Sequence, residues 1–103
     1  MNTKREIEVV LSIVATESDV SVDDILSNKR NEDVTDARHL AVYILHKRGV
    51  YVHRIAESIN ITRRAVYNII SHFDERLQWN KVLCKNYVRA MNRLGREDEI
   101  NAD

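Results

Sequence analysis

No proline interrupts this chain of 103 residues, and glycine occurs only twice, at positions 49 and 95. So few breakers over such a length restrict the chain to helices joined by short turns. Apolar residues recur at the 3.6-residue spacing that gives a helix one buried face. Hydrophobic residues make up 44% of the chain with a single Phe and a single Trp, so the core is expected to be aliphatic. The length fits one domain, large enough to fold without a disulfide or a metal.

Five or six helical segments follow from periodicity and end signals. Ile7, Val10, Leu11 and Val14 share one face of a first helix over residues 4–16. Ser21 caps a short second helix carrying Ile25 and Leu26, with Asp24 three positions on as in a capping box. The charged run at 29–33 is a loop. Asp33 or Thr35 can cap a third helix whose buried side holds Val34, Ala37, Leu40, Ala41, Ile44 and Leu45, with Gly49 just past its end. A fourth helix over about 51–59 turns Val52, Ile55, Ala56 and Ile59 inward. Thr62 caps a fifth, with Ala65, Val66, Ile69, Ile70, Phe73 and Leu77 on its stripe. Past Leu77 the stripe changes phase to Trp79, Val82, Leu83, Tyr87, Met91 and Leu94. Either the helix bends at 77–80 or a sixth begins there, and Gly95 is the expected end. Residues 1–96 are thus expected to form one all-α unit of five to six helices, followed by a frayed acidic tail over 97–103.

Net charge is zero, but its distribution is uneven. Residues 1–28 hold two basic against six acidic side chains. Residues 29–96 hold fourteen basic against six acidic, a surplus of eight. Residues 97–103 hold four acids and no base. A basic middle between acidic ends can attract a polyanion despite the neutral total.

The stretch IAESINITRRAVYNII, residues 55–70, has the pattern of a helix-turn-helix. Ala56 is small where the two helices would cross, and Ile59, Ile61, Val66 and Ile69 are apolar where they would clamp together. Asn60 suits a left-handed backbone in the turn. With 61, 65, 66 and 69 inward, the outward set is Thr62, Arg63, Arg64, Tyr67, Asn68 and Ser71. Arginine can read guanine, asparagine can read adenine, and hydroxyls can bond phosphate. A solvated surface is the bland alternative, although cations near a helix start oppose the helix dipole.

The run VSVDDILSNKRNEDVTDARHLAVYIL, residues 20–45, resembles the start of the C-terminal DNA-binding domain of the bacterial replication initiator DnaA. Leu26-Ser27, Lys29-Arg30 and Ala37-Arg38-His39 stand where that family has the end of a short helix, a basic loop and an Ala-Arg-Gln helix. The helix-turn-helix follows at the expected distance, and the resemblance spans roughly residues 5–73. It implies a small helical bundle related to the Trp repressor, binding duplex DNA with its second helix-turn-helix helix in the major groove. By position it assigns the basic loop to Lys29 and Arg30, and the recognition face to Arg63, Arg64, Tyr67 and Asn68. The family's glycine-rich turn and Arg-Asp-His-Thr-Thr signature are replaced here by Asn60-Ile61-Thr62-Arg63-Arg64-Ala65, one residue shorter. The family's origin-sequence preference therefore does not carry over. No GxxxxGK[ST] loop is present, so a freestanding DNA-binding domain is expected rather than an initiator.

Other chemistries find little footing. His39, His46, His53 and His72 form no close ligand pair, and Cys84 is the single cysteine, so no metal, cofactor or internal disulfide is expected. The acids at 23–24, 32–33 and 74–75 are neighbours whose side chains diverge on a helix, so no enzyme activity is expected. His39 sits beside Arg38, where it either touches phosphate or is plain surface. A charged N-terminus, no membrane span and one cysteine point to the cytoplasm. The expected function is sequence-specific duplex DNA binding, as a transcription regulator or a replication-associated accessory factor. Arg63, Arg64, Tyr67 and Asn68 would read bases, with Lys29, Arg30 and Arg38 on phosphates. The rival is a protein–protein adaptor reusing the scaffold. The Trp79, Leu83, Tyr87, Met91, Leu94 face either packs on its own core, the default for such a stripe, or joins a partner such as a second copy. Lys81, Lys85, Arg89 and Arg93, four residues apart on another side, either follow a phosphate strand or keep the helix soluble.

Overall fold

The computed structural model describes residues 2–100, all six helices among them. They are α1 (Thr3–Ser18), α2 (Val22–Leu26), α3 (Glu32–Lys47), α4 (Val52–Ile59), α5 (Arg63–Trp79) and α6 (Lys81–Ile100). The all-α expectation holds. Among the described residues, no helix is long and apolar enough to cross a membrane.

The helix ends follow from local chemistry. Asn2, Ser21, Thr62 and Asn80 each accept a hydrogen bond from the backbone N–H three residues on, at 2.8 to 3.0 Å. α1 stops at Asp19 and α4 at Asn60, both left-handed, where a short polar side chain is tolerated. Gly49, at φ 88°, follows α3 as expected. The start of α3 differs. It begins at Glu32 behind Asn31, which makes no side-chain cap, so Asp33 and Thr35 lie within the helix and cap nothing.

α3 forms the axis of the bundle and packs against each of the other five helices. Val34, Ala37, Leu40, Ala41, Val42, Ile44 and Leu45 are all buried, more than half its circumference. α1 closes one side with Ile7, Val10, Leu11 and Val14, joined by Ile13 and Ala15. Phe73 of α5 stacks on Tyr43 of α3 at 4.5 Å between ring centroids, and Tyr87 of α6 meets the same ring edge-on at 5.8 Å.

Of the two readings at 77–80, a separate sixth helix is the one found, because Asn80 leaves the α5 backbone and caps α6. α6 lies across α1, α3 and α5. Leu83, Ala90 and Leu94 are buried, with Tyr87 and Met91 packed against them. Of the two readings of this face, packing on the chain's own core, the default, is the one found for Leu83, Tyr87, Met91 and Leu94. A homodimer through Leu83, Tyr87, Met91 and Leu94 would require removing them from it; only Trp79 of that set stands free. Gly95 does not end the helix. Residues 97–100 of the expected acidic tail form its last turn, while 101–103 lie outside the described residues. The continuation has a cause. Arg48, at the end of α3, bonds both oxygens of Asp98 at 3.1 and 2.6 Å and also pairs with Glu6 of α1.

Candidate nucleic-acid interface

The turn Asn60-Ile61-Thr62 joins α4 to α5 with the geometry its residues dictate. Asn60 takes φ 63°, which lets Ile61 N–H donate to the Ala56 carbonyl at 3.1 Å. Thr62 then starts α5. Ile55, Ala56 and Ile59 of α4 and Val66 and Ile69 of α5 are buried where the helices meet. Ile61 and Ala65, expected inside, are half-buried and line a groove instead.

Thr62, Arg63, Arg64, Tyr67, Asn68 and Ser71 are all exposed along one side of α5, Tyr67 at 61%. The first turn of α5 carries no acid, and neither arginine has an ion-pair partner among the described residues. Two hydroxyls on this side already have local work. Thr62 Oγ1 accepts the capping bond from Ala65, and Ser71 Oγ donates to the Asn68 carbonyl at 3.0 Å.

The loop between α2 and α3 lies beside this helix. Asn60 Nδ2 donates to the Leu26 carbonyl at 3.4 Å, tying the helix-turn-helix turn to the start of the basic loop. One groove runs between Asn28, Arg30, Thr35 and His39 on one bank and Asn60, Ile61, Ala65 and Asn68 on the other. Arg30 is exposed and free of ion pairs among the described residues, whereas Lys29 is held by Asp24 at 2.8 Å.

Arg38 requires a correction. Expected as an exposed phosphate clamp, it is 8% exposed. Its Nε donates to the Ile25 carbonyl at 2.8 Å, and its Nη2 to the carbonyls of Asp24, Ser27 and Lys29 at 3.3, 2.8 and 3.1 Å. The carbonyl ends of α2 and the loop behind it need donors, and a planar guanidinium reaches several at once. Arg38 thus shapes the loop that presents Arg30. Burial, and the nearby Arg30 charge, lower its pKa.

Sequence reasoning left His39 undecided, and the structure defines its state. Arg76 Nη1, which can only donate, meets His39 Nδ1 at 2.9 Å, while Arg76 Nη2 pairs with Asp36. Burial and the charges of Arg76 and Arg38, opposed by Asp36, lower the imidazole pKa. A neutral ring accepting at Nδ1 carries its proton on Nε2, a donor in a side chain that lines the groove. Asp36 and His39 lie one turn apart on α3, but Arg76 is 37 residues further along, so no local pattern announced the group. Among the described residues, no cluster of three or more His, Cys, Asp or Glu is placed to hold a metal ion.

Comparison with known families matches residues 7–69 to the bacterial DnaA protein helix-turn-helix. A search of curated proteins finds no match. The matched stretch covers more than half of the chain and contains most of α1, all of α2 to α4, the basic loop and the exposed first two turns of α5. The chain belongs to the helix-turn-helix family of the bacterial DnaA protein.

Proposed function

We propose that this protein binds duplex DNA sequence-specifically, as a transcription regulator or a replication-associated accessory factor. The family is a DNA-binding one; the finer role is our reading. α5 enters the major groove, where Arg63, Arg64, Tyr67 and Asn68 meet base edges. Arg30 and Lys29 meet the neighbouring phosphates, and Thr62 and Ser71 border the contact. The observation that carries this reading is the groove that Arg30 of the basic loop shares with Ala65 and Asn68 of α5. Asn60 links the turn to the Leu26 carbonyl, and the exposed Arg63 and Arg64 directly precede Ala65 in α5. A helix N-terminus aimed at a phosphate adds free N–H donors. The adaptor reading is weakened, since Leu83 and Leu94 of its contact face are buried, although Trp79 stays exposed.

Selection from a randomised duplex pool at two salt concentrations tests this. A recoverable motif, with retention that falls as salt rises, is expected. Failure to enrich any motif at either concentration would overturn sequence-specific binding.

A further inference from the structure

Outside the stretch that matches the family, α6 carries a second cationic surface. Residues 76–96 hold six Lys or Arg and no Asp or Glu. Two of the six are occupied: Arg76 by Asp36, and Arg93 by Glu17 of α1 at 3.0 Å. The other four, Lys81, Lys85, Arg89 and Arg96, are exposed and without ion pairs among the described residues. With exposed Asn92 they fall at spacings of four, four, three and four, a single stripe along the helix. Two residues before Lys81 in sequence, at the end of α5, Trp79 is 80% exposed, and Val82 is 64% exposed.

Solubility alone is a poor reason for this pattern. Like charges four residues apart weaken a helix, and Lys81 and Lys85 oppose the dipole at its N-terminal end. A solvated face gains by alternating signs, which this one does not do. An anionic membrane is also a poor fit, because α6 buries Leu83, Ala90 and Leu94 in the core, and its exposed Val82 and Val88 are too scattered to form an apolar face for insertion. A cationic track headed by an open indole matches a single strand, whose phosphates follow the cations and whose unstacked base can lie on the ring. Paired bases of a duplex offer no such free face.

We propose that the outer face of α6, headed by Trp79, is a second nucleic-acid surface that takes single-stranded DNA. Trp79 stacks a base, and Lys81, Lys85, Arg89 and Arg96 follow the backbone. Trp79 and Arg63 are at opposite ends of α5, roughly 24 Å apart at 1.5 Å per residue, so the two surfaces engage separate stretches of nucleic acid.

Trp79 is the chain's single tryptophan, so its fluorescence reports on this site alone. A thymine homopolymer of about 15 nucleotides is titrated into the full chain. Saturable quenching is expected, with affinity falling against salt at a log–log slope of about −2 to −3 for three or four phosphate contacts. The Lys85→Ala/Arg89→Ala variant keeps the fluorophore and should bind at least about tenfold more weakly at low salt. With a dye-labelled oligonucleotide, Trp79→Ala should weaken binding about five-fold or more. Arg63→Ala/Arg64→Ala should leave quenching intact, which separates this proposal from the helix-turn-helix reading. The proposal is overturned by an absence of quenching, by quenching indifferent to Lys85 and Arg89, or by its loss in the Arg63/Arg64 variant. Anionic vesicles altering the fluorescence where the oligonucleotide does not would assign the face to membranes instead.

Discussion

Arg38 donates four hydrogen bonds to carbonyls of α2 and the loop behind it, and has no ion-pair partner among the described residues. A lysine ammonium is a point donor that cannot span those four acceptors. Arg38→Lys is expected to cost about 2–3 kcal/mol in a denaturant melt, by leaving buried carbonyls unpaired. It should also weaken DNA binding on every sequence alike, because the loop that presents Arg30 loses its anchor. His39 gives a second residue-scale outcome. Its folded pKa is lowered by burial, then by Arg76 and Arg38, so between that value and the ordinary one the unfolded chain binds the extra proton. Its contribution is fully present above about pH 6.5 and is lost as pH falls through the lowered pKa. Gln at 39 keeps an acceptor for Arg76 and cannot charge, so His39→Gln should flatten the fall in melting temperature between about pH 7 and 5. An unchanged acid slope would contradict this account of the ring. Neither role was legible in the sequence. Arg38 reads as one more cation in a basic region, and only folding reveals that its partners are main-chain oxygens.

At the scale of elements, the signals that worked were local. Ser21 and Thr62 cap as their sequence context predicts, and Asn60 takes the left-handed turn. Asn60→Gly should therefore be tolerated, whereas Asn60→Val should cost at least about 1–2 kcal/mol by forcing a branched side chain into that conformation, read by thermal unfolding. The signals that failed were local ones overruled at a distance. Gly95 has the form of a helix stop, yet the Arg48–Asp98 pair, together with Leu94 in the core, carries α6 past it. The apolar stripe of α6 could be assigned to core or partner only once its position across α1 and α3 was known. Leu94→Ala is expected to cost about 2–5 kcal/mol, as for other fully buried leucines. A chain ending at Trp79 should fail to give a cooperative melt, since it loses Leu83, Ala90 and Leu94 together. A cooperative melt of that fragment would show that α6 is dispensable to the fold.

Across the whole molecule, a neutral sum conceals a sorted charge pattern. Carboxylates of the acidic ends pair with several cations of the middle: Glu6 and Asp98 hold Arg48, Glu17 holds Arg93, and Asp24 holds Lys29. Arg30, Arg63 and Arg64 have no ion-pair partner among the described residues. The basic middle was legible in the sequence; which of its members remain unpaired was not, because the pairing depends on α1 and α6 folding back over α3. The measurement that bears most directly on the interface is duplex affinity as a function of salt, on a selected site and on unrelated sequence, for three proteins. Relative to the unaltered chain, Arg30→Ala should weaken both duplexes alike and make the log–log slope shallower by about one unit. Arg63→Ala/Arg64→Ala should lose about 1–3 kcal/mol or more on the selected site, well beyond its loss on unrelated sequence. Equal losses on both duplexes for the two variants, or no loss for either, would contradict a recognition helix flanked by a phosphate-holding loop.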